Sequence, residues 1–375
     1  MPAFPFTLEN ILFLLLGLTV LVQFFYAFYY FLSLALFKKH LPIDTPGFPV
    51  SVIVCAHNEH DNLINLIPKI LKQDYPQFEL VLIDDRSKDE SATFLQQITQ
   101  HFQNAKLLSI KSTPGGFNPK KYALSLGIKA AKYEHLLFTD ADCEPTSPYW
   151  ISEMMKGYRN GAEIVLGYGR YKQLGGFLGY LLNYETVLSA IQYLSFAIKG
   201  KPYMGVGRNL SYTKSCFIRN KGFASHIKQT GGDDDLFVRD AAANSKVDVI
   251  INYNGQTESQ PKQTWREWWL QKRRHLGAGK KYKWQDRLRI GTFILANALF
   301  YILSIILLAL QANLIWLGAI FAVRCLVIFS IYYQCASNLK ERLAVLLLPV
   351  LDIAYYIYYV LLSVSVIMFK KVTWK

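Results

Sequence analysis

Asp140-Ala141-Asp142 follows the apolar run 135–139 (HLLFT), and Asp233-Asp234-Asp235 follows a pair of glycines and precedes Leu236. Carboxylates two residues apart on an extended chain leave from one face. Hard oxygen donors suit Mg²⁺ or Mn²⁺, which bridge them to a diphosphate and neutralise the charge that develops as it leaves. Asp140 and Asp142 are therefore expected as metal ligands. In the second cluster, Asp233 or Asp234 can take a proton from an acceptor hydroxyl as general base. In an extended or early-helical stretch their side chains would point apart, and the cluster could equally serve a helix N-terminus through its dipole. Asp84-Asp85 ends the run 79–83 (ELVLI), where a carboxylate can accept hydrogen bonds from an imide N–H or ribose hydroxyls, or cap the next helix. Residues 265–275 (WREWWLQKRRH) combine aromatics with bases; they can anchor at a membrane interface, and Arg274 can hold a pyrophosphate by a charge-assisted fork.

Positioning such groups requires a sheet. Between about 45 and 285, short β-branched runs (50–54, 79–83, 106–110, 135–139, 163–167) alternate with polar stretches of helical period. That pattern predicts an α/β fold, a mostly parallel sheet with helices on both faces and ligands at the carboxyl ends of the strands. The first strand runs into Cys55-Ala56-His57-Asn58-Glu59 without a glycine. A dinucleotide fold needs G-x-G-x-x-G there, and its absence argues strongly against an NAD or FAD enzyme.

The chain has 375 residues, a net charge of +14, 52% apolar residues and 18% charged ones, which is too apolar for disorder and too long for one small core. Residues 11–37 and 290–323 hold no charge. The first run is long enough to span, and MPAFPFTLEN offers no basic n-region for a signal peptide. Lys38-Lys39 at its C-terminal end predicts that the chain beyond it is cytoplasmic. The second run, broken at 311–313, predicts a hairpin of helices near 291–310 and 314–333 with both ends cytoplasmic. The last run, 343–369, either crosses once, leaving Lys370, Lys371 and Lys375 outside, or re-enters and leaves them inside. Arg324 and Asp352 either pair across the bundle or find water separately. Residues 173–198 hold one charge, Glu185, yet must lie along or pack on the membrane surface if the acidic motifs on either side share one site. The five cysteines show no C-x-x-C spacing, and no redox or zinc motif follows from them. The basic excess fits anionic lipid and cytoplasmic placement; no nucleic-acid module accompanies it.

CAHNE (55–59), the Asp84-Asp85 strand end, DAD (140–142), GGDDDL (231–236) and QKRRH (271–275), in this order, resemble the membrane-bound members of glycosyltransferase family 2. The resemblance covers about residues 48–280, together with one leading and several trailing spans. It implies a GT-A fold and transfer of a sugar, with inversion, from a nucleotide diphosphate sugar to a lipid or lipid-linked acceptor, with Mg²⁺ or Mn²⁺ at Asp140 and Asp142. It implies donor contacts by Glu59, Asp84, Asp85 (to the nucleotide's base), Lys120, Asp140, Gln271 and Arg274. The family's E-D-x-x-L pattern makes Asp233 the base; Gly232 stands where the family often has Glu, so Asp234 remains a second candidate. His275 replaces the Trp of Q-x-x-R-W, a residue associated with processive synthases, which weakens but leaves open a processive polysaccharide synthase. The other alternative is a non-catalytic membrane scaffold. The expected domains are an N-terminal span (1–40), a cytoplasmic catalytic domain (41–285) and a C-terminal membrane region (286–375), in a bacterial-type inner membrane.

Overall fold

The computed structural model describes residues 7–38, 47–279 and 281–368; Lys39, Lys370, Lys371, Lys375 and the side chain of His275 lie outside the described residues. The chain divides into two compact units, a helical one from Met1–Phe37, Gly175–Ser195 and Tyr282–Val372, and a sheet-bearing one from Lys38–Leu174 and Phe196–Lys281.

In the helical unit, α1 (Leu8–Phe25) starts where the Thr7 hydroxyl accepts the Asn10 N–H. It continues through a π-helical turn, Tyr26–Phe31, into α2 (Leu32–Ala35), making one rod of 28 residues. Later in the chain come α7 (Gly176–Ile198), α11 (Trp284–Ala309), α12 (Leu314–Asn338) and α13 (Leu348–Met368). Four described helices are long and apolar enough to cross a membrane: Leu8–Ala35, Trp284–Ala309, Leu314–Asn338 and Val345–Val366. The expected break before α12 is real: Gln311 adopts φ +50° and the Asn313 side chain caps Trp316 N–H at 3.2 Å. The last apolar run forms one continuous helix, which is the length of a single crossing and not of a tight hairpin.

Arg324 and Asp352 pair, Nη2 to Oδ2 at 2.7 Å, with both side chains fully buried, so the alternative of separate hydration does not apply. The guanidinium also donates to Gln23 Oε1 at 2.8 Å and Asn297 Oδ1 at 2.9 Å, while the Tyr184 and Tyr301 hydroxyls donate to the Asp352 carboxylate. Intramembrane charges are tolerated when each donor and acceptor finds such a partner. Tyr184 belongs to α7, so the amphipathic-looking segment 173–198 enters this network through a helix rather than ending outside it.

The sheet-bearing unit is built on β1 (Val50–Ala56), β2 (Phe78–Asp85), β3 (Ala105–Ile110), β4 (His135–Asp140), β6 (Ile164–Gly167), β8 (Leu210–Thr213) and β9 (Val247–Ile250), in the order β3-β2-β1-β4-β8-β6-β9. All pairings are parallel except those of β8, which runs antiparallel to both neighbours. The five expected strands are all present; β8, β9 and the short strands β5 (Cys143–Pro145), β7 (Gly169–Tyr171) and β10 (Thr257–Ser259) add to them. The last three form a separate sheet, β5-β10-β7. Between the strands run α3 (His60–Leu71), α4 (Ser91–His101), α5 (Pro119–Ala130), α6 (Trp150–Met155), α8 (Lys214–Arg219), α9 (Asp235–Ala241) and α10 (Trp265–Gly279). On α3, Leu63, Leu66, Ile67 and Ile70 are buried at three- and four-residue spacing, the stripe that docks a helix on a sheet. Helix α5 starts with Asn118 capping Lys121 N–H and Pro119 at its first position. It approaches β2 so closely that a Cβ on Gly127 would lie 2.3 Å from Ile83 Cδ1.

Candidate active site

The register places the chemistry on one edge. Cys55 at the end of β1 pairs with Asp140 of β4, and Ala56 pairs with Asp84 of β2, so three strands deliver their carboxyl ends side by side. A cleft opens there, lined by Cys55, Lys120, Asp140, Gly207, Asp233 and Asp234 among others.

At its centre the Lys120 ammonium lies 2.8 Å from Asp140 Oδ1 and 3.0 Å from Asp233 Oδ2. Burial works against that charge, but Asp140 and Asp233 more than offset it and hold the lysine protonated well above its ordinary range. One lysine from α5 thus joins the two acidic motifs, 93 positions apart by number, into one site. Asp142 does not extend the strand as expected: β4 ends at Asp140 and a turn at 141–142 follows. The turn still brings the donor atoms of Asp140, Asp142 and Cys143 within 4.8 Å of one another. Two carboxylates converging this closely fit Mg²⁺ or Mn²⁺, both of which prefer oxygen ligands.

Gly231 and Gly232, at φ +73° and +82°, fold the chain into a turn before α9, and Asp233 and Asp234 both line the cleft. A Cβ at Gly232 would lie 2.6 Å from Leu236 Cδ1 at a φ that L-residues rarely adopt, which explains why this position holds no glutamate. Asp234 has both oxygens committed to backbone: Oδ2 accepts Gly207 N–H at 2.7 Å, and Oδ1 accepts Asp235 N–H at 2.8 Å. Burial, then the neighbouring Asp233 and Asp235, raise its pKa to about 7. Asp233 makes its ion pair with the Lys120 ammonium instead.

Around this centre, Arg274 of α10 feels burial first, which lowers its pKa, and the opposing fields of Asp140, Asp233, Tyr171 and Asp142. Gln271 Nε2 donates to Tyr171 Oη at 3.5 Å. Glu59 accepts from Asn62 Nδ2 at 2.6 Å; burial raises its pKa, with Asp142 adding to the effect. The Asp84 carboxylate accepts Ser87 N–H at 3.2 Å, closing the turn after β2. Asp85 is held by the Arg86 guanidinium, Nε at 2.7 Å and Nη2 at 3.1 Å, with Arg86 itself at φ +61°. Glu59, Asp84, Asp85, Asp142, Gln271 and Arg274 do not line the cleft that holds Lys120.

Arg208 escapes sequence reasoning. Its guanidinium stacks 4.2 Å over the Tyr171 ring and donates to Ser259 Oγ at 3.0 Å. Burial opposes its charge, while Tyr171, Cys143 and Asp142 favour it and leave the pKa above the ordinary value. A lone Arg in GVGRNL carries no spacing signal; only the turn at Gly207–Asn209 brings it to the acids.

Comparison with known proteins finds likenesses to sugar transferases. The model for Glycosyl transferase family 2 matches residues 51–218. Over 232 residues the chain is 24% identical to a poly-beta-1,6-N-acetyl-D-glucosamine synthase of Staphylococcus epidermidis, covering 60% of this chain and 52% of the relative. Over 210 residues it is 28% identical to a poly(ribitol-phosphate) beta-glucosyltransferase of Bacillus spizizenii, covering 55% of this chain and 31% of that one. The chain thus spans about half, or less, of the length of these relatives. The fold is shared with a mannosyltransferase from Pyrobaculum calidifontis solved with GDP-Man and Mn²⁺, at TM-score 0.59 and 17% identity, covering 89% of this chain and 99% of that one.

Proposed function

We propose that the chain, whose residues 51–218 match the model for Glycosyl transferase family 2, is an inverting glycosyltransferase moving a sugar from a nucleotide diphosphate sugar to a hydroxyl of a lipid or lipid-linked acceptor. The observation that carries the reading is the Asp140–Lys120–Asp233 bridge, which unites a metal-ligand motif, a cation for phosphate and a candidate base in one cleft.

In this reading Asp140 and Asp142 hold Mg²⁺ or Mn²⁺, which when bound supplies positive charge to the departing diphosphate. Lys120 and Arg274 add cations on the same side and orient the phosphates. Asp85 contacts the nucleotide base, with Asp84 shaping the turn that carries it, and Glu59 and Gln271 complete the donor contacts. Asp233 takes the proton from the acceptor hydroxyl as that oxygen attacks the anomeric carbon. Asp234, bound to the Gly207 and Asp235 amides, fixes Asp233 in place. Four helices fit for membrane crossing and Lys38 after the first of them support an integral membrane protein with a cytoplasmic catalytic unit. Likeness to a poly-N-acetylglucosamine synthase supports the processive alternative, and product length separates the two.

The test is turnover by the purified full chain of a panel of nucleotide sugars with Mn²⁺, using lipid-linked acceptors and mass detection. Transfer of one sugar, lost on adding EDTA, is expected. Donor binding without transfer to any acceptor, or no donor binding at all, would leave a non-catalytic scaffold as the better description.

A further inference from the structure

Lys121, next to Lys120, is fully buried and takes no part in the transfer chemistry. Its ammonium donates to the backbone carbonyls of His226 at 2.7 Å and Gln229 at 3.1 Å. From the same end of α5, Asn118 N–H donates to Ile227 O at 2.8 Å. Three hydrogen bonds therefore fasten 226–229 to the start of the helix that supplies Lys120. Beyond Gln229 the chain passes through Gly231 and Gly232, both at positive φ, before it reaches Asp233. Glycines bring no side chain to hold the turn, so the segment needs an anchor on the upstream side.

We infer that Lys121 is a positioning residue which, by holding the 226–229 backbone, fixes Asp233 at the distance from Lys120 that base action requires; this rests on the transferase reading. Adjacent lysines act on two ends of one loop, Lys120 on the carboxylate and Lys121 on the backbone ahead of it. A charged donor suits two carbonyls because each bond is charge-assisted, and a buried carbonyl left without a donor is costly. Burial pulls the Lys121 pKa down to about 8, against the fields of Asp233, Asp235 and Asp234, so the ammonium form prevails at neutral pH.

The experiment compares wild type with Lys121→Met, which keeps length and loses the charge, and Lys121→Arg, which keeps the charge, all as the full chain in detergent. Hydrogen exchange of the amides in 227–235 should rise about tenfold or more in Lys121→Met and stay near wild type in Lys121→Arg. With a nucleotide sugar that wild type uses, kcat should fall about tenfold or more in Lys121→Met while donor affinity stays within about threefold, and Lys121→Arg should restore most of kcat. Unchanged exchange in 227–235, or loss of donor affinity in proportion to kcat, would overturn the inference. If Lys121→Met does not fold, Lys121→Gln carries the same expectations. Wild type that transfers no sugar would refute the transferase reading, while exchange alone would still decide whether Lys121 holds the loop.

Discussion

Each unit of the molecule concentrates opposite charges, but in different settings. In the helical unit, Arg324 and Asp352 are fully buried, and Gln23, Asn297, Tyr301 and Tyr184 satisfy what the pair leaves over. In the sheet-bearing unit, the Lys120 and Asp140 side chains keep about a third of their surface exposed, and the lysine is shared between two carboxylates. The first cluster has one low-energy arrangement, because moving either charge strands the other in a low-dielectric interior. In the second, Lys120 has two partners, and under the proposed function a diphosphate and a metal ion would displace these pairings at modest cost. Burial and completeness of partners, rather than charge itself, separate a structural ion pair from a reactive one.

The sharpest way to break this comparison is at the base. Asp233→Asn should lower the chemical step by about 10²- to 10⁴-fold while leaving the melting temperature nearly unchanged, read from single-turnover kinetics and thermal scans. An active Asp233→Asn with an inactive Asp234→Asn would move the base one residue along. Next in size, Arg324→Met should destabilise the folded protein by about 3–5 kcal/mol because Asp352 is left unpaired, whereas the double change Arg324→Met with Asp352→Leu should recover much of the loss. Equal losses from single and double variants would show that the pair stabilises in its own right. By contrast, Lys120→Met should alter stability by no more than about 1 kcal/mol and still abolish donor-dependent turnover.

The smallest expected effect is a pH trend. Asp234, raised to about 7, binds its proton more readily in the folded state than in the unfolded chain. Its contribution therefore opposes folding increasingly as pH rises from about 4 to 7, then levels off. Asp234→Asn removes this term while keeping a capping side chain. Relative to the variant, wild type should lose about 2 °C or more of melting temperature between pH 5 and pH 8. A parallel pH dependence in the two proteins would refute the assignment.

Much of the architecture was legible because long apolar runs and β-branched strands signal themselves locally. VSVIV, ELVLI, KLLSI, HLLFT and EIVLG all became strands. Strand β8, LSYT, was not legible: four residues carry too little pattern, and their antiparallel place depends on partners 44 or more positions away. The acidic motifs could be read as clusters, but not their geometry. Local reasoning on extended chain gave opposite directions for Asp233 and Asp234, and it could not supply the partners that the fold gives them, Lys120 for one and the Gly207 and Asp235 amides for the other. Arg208 and Lys121 lay beyond local reading altogether, since each acquires meaning only from residues brought to it by the tertiary fold. Within the membrane helices the sequence supplied both charges and could not choose between pairing and hydration until the facing polar side chains were known.

The π-helical turn at Tyr26–Phe31 has a consequence for how this chain can change over time. Such a turn accommodates one residue more than an α-helix would, and one residue corresponds to about 100° of rotation about the axis. Before the turn, Leu16 and Val20 pack with Phe300, Leu303 and Leu307 of α11; after it, the carbonyls of Leu34 and Ala35 accept from Asn338 Nδ2 of α12 at 2.9 and 2.8 Å. The extra residue sets the angular phase between those two allegiances. Deleting one residue between Tyr26 and Phe31 would repair the helical ladder and turn the following segment away from Asn338. A single-codon deletion there would be selected against although it makes the helix locally more regular.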